Sequence, residues 1–296
     1  MKKLIVLMAV IAFAACSGGG DEHDAIGMFE ATEVIVSAEQ TGKLLYFDVD
    51  EGDVLAKGQQ VGLVDTVQLQ LRAMQLGATK EAYASQRPDI EKQIAATKQQ
   101  LAKAELEVER YSALVRDNAA NRKQLDDAES SVRVLRRQLD AQLSQLNNTT
   151  GSLNRQMDAA EIQRRQVIDN LEKCRVKSPI GGTVLDKYAE AGEYATPGKP
   201  LFKIADVADM KLRAYVDAPQ LTSLKVGQPV KVYADFGEDG NREYKGVIEW
   251  ISDKAEFTPK TIQTRDERAN LVYAVKIAVK NTDGLIKIGM YGEVDF

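Results

Sequence analysis

Residues Gly42 to Asp65 read GKLLYFDVDEGDVLAKGQQVGLVD, and Gly182 to Ala205 read GTVLDKYAEAGEYATPGKPLFKIA. The two stretches align without a gap at an offset of 140, so that Gly42, Gly52 and Gly58 fall on Gly182, Gly192 and Gly198. Leu44, Leu45, Val61 and Val64 fall on Val184, Leu185, Leu201 and Ile204. Each copy reads as strand, turn, short strand, turn, strand. EGD (51–53) and AGE (191–193) are turns whose glycine is expected at positive φ. KGQQ and PGKP are the second turns. Two such half-units packed face to face close one small flattened β-sandwich around a shared core. The halves are set at 41–65 and 177–206.

Between them, residues 66–176 are rich in Ala, Leu, Gln, Glu, Lys and Arg, the strong helix formers. Ile90, Ile94, Thr97, Leu101, Ala104, Val108, Tyr111 and Val115 alternate steps of four and three, and Leu125, Ala128, Val132, Leu135 and Leu139 form a second seam. This is a coiled-coil heptad pattern. The polar break RDNAAN, residues 116–121, predicts an antiparallel helical hairpin with its tip there. Pro88 and NNTTG (147–151) are expected to interrupt both arms at one height. Arms of about 50 residues reach roughly 75 Å at 1.5 Å per residue, so the hairpin is expected to project from its domain.

The chain opens MKKLIVLMAVIAFAACSGGG: two lysines, an apolar run too short to span a bilayer as a mature helix, then small residues before Cys16. This resembles a bacterial lipoprotein signal (1–15), with cleavage before Cys16, acylation of that residue and a flexible tether over 16–30. An ordinary secretory signal with a chance cysteine is the alternative. Several acyl chains on Cys16 anchor a protein stably to a lipid bilayer. No other apolar run has the length of a spanning helix.

Composition limits the chemistry. The net charge of −5 comes with no basic block of the kind that follows phosphates, which argues against a nucleic-acid partner. His23 is the one histidine, and beyond Cys16 only Cys174 remains, read as a small buried hydrophobe. A Ser–His triad and a typical zinc site both lack their residues, so no catalytic residue, metal or cofactor is expected and the chain is read as a non-enzyme.

After Ala205 the pattern turns to alternation. Met210, Leu212, Ala214 and Val216 oppose Lys211, Arg213, Tyr215 and Asp217; the rhythm returns at Val230–Ala234, Tyr244–Trp250 and Leu271–Val279. Short strands with glycine and proline turns predict an antiparallel β-barrel over 207–296, with an N-terminal strand contributed by 31–40. The expected fold is therefore mixed α and β and elongated: a split β-sandwich, an inserted antiparallel coiled-coil hairpin and a C-terminal barrel.

The duplicated halves resemble the biotinyl/lipoyl domain, whose cofactor lysine sits on the turn joining its halves. Here that position reads TVQLQLRAMQ and carries no such lysine. The whole expected mature chain is similar to the periplasmic adaptors, the membrane fusion (HlyD-type secretion protein) family. That resemblance implies an accessory protein that joins an inner-membrane transporter to a TolC-type outer-membrane channel. It also implies a homo-oligomeric ring, commonly hexameric, in the periplasm, with the inner membrane favoured for the anchor. In that family an arginine, a leucine four residues on and a serine seven further contact the channel. RYSALVRDNAAN supplies Arg110 and Leu114, with Asn121 in the serine position. Glu256 to Ile277 is similar to adaptors of ABC-type exporters, with RND or MFS transporters as alternatives. A structural coiled-coil envelope lipoprotein and a biotinyl/lipoyl carrier subunit are the other functional readings.

Overall fold

The computed structural model describes residues 23–237, 240–257 and 271–296. The expected leader, Cys16 and much of the 256–277 stretch lie outside the described residues. The chain forms two units: residues up to Leu63 together with Val176 onward, and Val64–Arg175.

In the first unit the sequence repeat becomes a set of reciprocal hydrogen bonds. The strands are β1 (Ala25–Ser37), β2 (Gly42–Phe47), β3 (Val54–Leu55), β4 (Gln60–Val64), β5 (Arg175–Lys177), β6 (Gly182–Lys187), β7 (Tyr194–Ala195) and β8 (Pro200–Val216). Gly52 N–H donates to Val184 O at 2.9 Å, and Gly192 N–H to Leu44 O at 2.8 Å. Gly58 N–H donates to Ser178 O at 2.7 Å, and Gly198 N–H to Ala38 O at 2.9 Å. Each partner in one bond lies 140 positions from its counterpart in the other, so each half ties its turns to the strands of the other. The turns need glycine: φ is 92° at Gly52 and 94° at Gly192, where a Cβ meets the following carbonyl. Leu44, Val61, Val184, Leu201, Phe202 and Ile204 are buried between the halves, and the rings of Phe47 and Phe202 lie 6.1 Å apart.

The barrel takes the remaining strands, β9 (Pro229–Asp235), β10 (Asn241–Ile251), β12 (Leu271–Lys280) and β13 (Tyr291–Asp295), with β11 (Glu256–Phe257) beside β12. The order β12–β10–β9–β13–β1–β8 closes through β12–β8, giving six strands without a free edge. Alternate residues point inward: Phe29, Met210, Leu212, Ala214, Val232, Ile248, Val275, Ile277 and Val294 form its core. β1 begins earlier than the sequence reading, which kept residues up to 30 as tether and set the strand at 31–40. Ala25–Met28 pair with β13 and Ile26–Glu30 with β8. After a register shift between Glu30 and Thr32, residues 32–37 continue along β8 toward the sandwich. Ala25 and Phe29 fill the barrel interior, which fixes this earlier start.

The second unit is helical: α1 (Val67–Ser85), α2 (Ile90–Arg116) and α3 (Arg122–Lys173). α1 and α2 both run against α3. The break between them falls at Pro88, which disfavours helical geometry at the residue before it. Asp89 restarts the chain as an N-cap, its carboxylate accepting from Lys92 N–H at 3.2 Å. The expected break at NNTTG does not occur, because α3 runs unbroken for 52 residues. Thr149 Oγ1 donates to Gln145 O at 3.0 Å, so this hydroxyl is satisfied within the helix. The weak propensities cost at most about 1 kcal/mol each, and the packed face with Leu153, Ala160 and Val167 buried offsets them. Every residue of both predicted seams is at least partly buried. Lys80–Glu161 at 3.0 Å, Arg136–Glu105 at 2.8 Å and a hydrogen bond from Arg87 to Asn154 set the antiparallel register, and a part-buried polar pair, Thr97 Oγ1 to Gln142 Oε1 at 2.9 Å, interrupts the apolar seam.

Candidate docking tip of the helical hairpin

The tip is the five-residue connection 117–121 between α2 and α3. Ala119 N–H donates to Leu114 O at 2.7 Å, and Asn118 takes a φ of 53°. Asparagine tolerates this left-handed conformation better than most residues, so α2 ends in an αL stop without glycine. Asn121 then opens α3: its Oδ1 accepts from Lys123 N–H at 3.0 Å, and Gln124 reaches back to the Asn121 N–H at 3.4 Å. This capping box supplies acceptors for backbone donors that a helix start leaves unpaired. Serine and asparagine are both strong N-caps, so Asn121 meets the local demand that a serine meets in this position.

Arg110 and Leu114 lie one turn apart on α2, on the same side of the helix. The Arg110 side chain is 66% exposed, 3.6 Å from Glu107, and its guanidinium lies 5.9 Å from the centre of the Tyr111 ring. An exposed pair of this kind is worth under about 1 kcal/mol, so the guanidinium is available to a partner at little cost. Leu114 is half-buried, and Tyr111 and Val115 turn into the seam. At 1.5 Å per residue, α3 separates the tip from the end where the chain enters and leaves this unit by about 75–80 Å. Of the six turn glycines read from the sequence, all in the other unit, Gly52, Gly58, Gly192 and Gly198 lie in turns at positive φ, whereas Gly42 and Gly182 open strands β2 and β6, and Gly182 sits against the Ala205 carbonyl of β8.

Elsewhere the ionisable groups have ordinary structural work. The Lys80 ammonium bonded to Glu161 holds that carboxyl below its usual range. Asp186, 3.0 Å from Lys203, raises the lysine well above the ordinary ammonium value. Burial pushes the Cys174 thiol up, and its Sγ donates to Asn170 O at 3.3 Å, the behaviour of an inert core thiol. Among the described residues no group of three or more His, Cys, Asp or Glu is placed to hold a metal ion, and no helix is long and apolar enough to cross a membrane. The sequence reading left His23 in the tether; in the structure it contacts β13, as described below.

The fold has well-defined relatives. MacA from Actinobacillus actinomycetemcomitans superposes with a TM-score of 0.56 at 21% identity, covering 91% of this chain and 76% of that one. The membrane fusion protein Spr0693 from Streptococcus pneumoniae R6 gives 0.50 at 17% identity, covering 91% and 97%. The architecture is the fold of the membrane fusion, or periplasmic adaptor, proteins, and the resemblance in fold drawn from the sequence is borne out. In sequence the chain is similar to the UPF0194 membrane protein YE2891 of Yersinia enterocolitica, at 27% identity over 329 positions covering all of this chain and 98% of that protein. No protein-family model matches the chain.

Proposed function

We propose that this protein is the periplasmic adaptor of a tripartite export system, joining an inner-membrane transporter to a TolC-type outer-membrane channel without catalysing a reaction. The observation that carries this reading is the split sandwich. One β core receives both ends of a two-armed helical insert that carries Arg110 and Leu114 on one side of an arm near its tip. Such an insert transmits position rather than chemistry. The shared fold of MacA and Spr0693 supports the class, and the whole-length similarity to a UPF0194 membrane protein supports a membrane association.

In this proposal Cys16 carries the lipid that tethers the chain, with the inner membrane favoured. Copies assemble as a ring, six in number by the family resemblance, and the transporter is of ABC type. Weak tip contacts suffice, because tethering and ring formation raise the effective concentration of each tip. The test is export in cells carrying Arg110→Asp or Leu114→Asp. Both variants are expected to reach normal levels and to abolish export; full export by both removes the tip assignment. Cys16→Ala is expected to move the protein from the membrane to the soluble fraction, and unchanged membrane retention contradicts acylation.

A further inference from the structure

The single histidine of the chain is gripped from both sides. His23 Nδ1 lies 2.9 Å from Asp295 Oδ1, and Nε2 lies 3.1 Å from Glu293 Oε2. Both carboxylates project from β13. The ring also stacks on Tyr233 of β9 with centroids 4.6 Å apart, and the histidine side chain is only 13% exposed. A neutral imidazole carries one N–H and one lone pair. Whichever nitrogen holds the lone pair then faces a carboxylate oxygen, acceptor against acceptor. Only the doubly protonated ring donates to both partners. The two contacts are on opposite edges of the ring, so one metal ion cannot replace them.

We propose that His23 is a protonation-gated clamp that fastens the chain, where it enters β1, to the end of the barrel. The next residue is secured independently of this proton: Asp24 O accepts from Gln220 Nε2 at 2.6 Å, and the Asp24 carboxylate accepts from Phe296 N–H at 2.9 Å. Loss of the ring proton therefore breaks one of the two carboxylate contacts at residue 23 while β1 stays in the barrel. Of the surrounding groups, Asn241 donates to Glu293 Oε2 at 2.9 Å and stays neutral. Lys231 lies opposite Asp295 in the β9–β13 register and 3.6 Å from Glu243, so those two charges largely offset each other. Burial holds the Tyr233 phenol protonated. Glu293 and Asp295 are the charged groups bonded to the ring among the contacts described, and Asp295 also accepts from the Tyr233 hydroxyl. Stabilisation by such a clamp is fully present below about pH 6.5, where a free imidazole titrates, and is lost as pH rises through the ring's own midpoint in the folded chain. Cys16 is seven residues earlier, at most about 25 Å of extended chain. If it is acylated, as the adaptor reading holds, the clamp sets how the anchored chain leaves the barrel. The clamp itself does not depend on that reading.

The test uses the full chain in detergent micelles with nitrogen-15 histidine, whose spectrum contains one imidazole. The ring's titration midpoint is expected to lie at least one pH unit higher in the wild type than in Glu293→Gln/Asp295→Asn. Each single substitution, expected to give about half that change, serves if the double variant does not fold. Protease nicking ahead of Asp24, measured relative to His23→Gln at the same pH, is expected to be suppressed at pH 5.5 and equal at pH 9. Equal midpoints in wild type and variants, or a relative nicking rate that does not change with pH, overturns the clamp. Neither result bears on the export assay, so the two proposals fail separately.

Discussion

Gly182→Ala probes the second half-unit where β6 lies tightly against β8. A Cβ on Gly182 would lie 2.2 Å from Ala205 O and 2.7 Å from Ala205 C, both backbone atoms of β8. Ordinary contact begins near 3.4 Å, so β6 must retreat by about 1 Å from its partner. The neighbouring pair, Thr183 with Ala205, belongs to the ladder that joins β6 to the first part of the long strand β8 within the second half. One or two weakened ladder bonds cost about 0.5–1.5 kcal/mol each, and forcing the extra methyl into place costs about 1–3 kcal/mol. Together these give roughly 1.5–6 kcal/mol. Gly198→Ala is the control: nothing lies within 4 Å of its Cβ, and only its φ of 86° is unfavourable, a cost of about 1–2 kcal/mol. Trp250, the one tryptophan, sits on β10 in the same nine-stranded sheet and reports urea unfolding of this unit. With a slope of about 1–3 kcal/mol per molar urea, the midpoint should fall by about 1–2 M for Gly182→Ala and by clearly less for Gly198→Ala. A wild-type midpoint for Gly182→Ala, or a larger loss for Gly198→Ala, would refute the packing argument.

Other consequences are more local. Asn121→Ala should cost about 1 kcal/mol and speed amide exchange in the first turn of α3, whereas Asn121→Ser should leave exchange nearly unchanged. Thr97→Val should lower the hairpin's thermal midpoint, followed by circular dichroism, through loss of a hydrogen bond worth about 1 kcal/mol; adding Gln142→Leu should restore it, and a further drop would show that the pair does not act as a unit. Glu161 is held below the usual carboxylate range by Lys80. Its contribution is therefore present above the unfolded carboxylate value and lost as pH falls through the lower folded value. Melting curves of Glu161→Gln should depend less on acid than those of the wild type, and identical acid profiles would remove this pair from the account.

The sandwich was legible because its information is local: glycines at the turns and apolar residues at period two, written twice. The seams were legible for the same reason, since one heptad step is visible within a few residues. What misled was also local. NNTTG looks like a helix breaker, yet Thr149 satisfies its hydroxyl one turn back and the packed face of α3 carries the rest. The role of His23 was invisible because its partners, Glu293 and Asp295, are about 270 positions away. The early start of β1 was hidden for the same reason, as Ala25 finds its partner at Val294. Arg110 and Leu114 were found through family resemblance, and the structure adds only that they share a helix side near the tip.

The central claim is that this tip meets an outer-membrane channel. The direct measurement is photo-cross-linking in cells from a benzophenone side chain replacing Leu114, with the product identified by mass spectrometry. The account predicts a covalent product containing a TolC-type channel, and its loss when Arg110→Asp is added. Export at the wild-type level with cross-links only between copies of this chain, or to no channel at all, would contradict it.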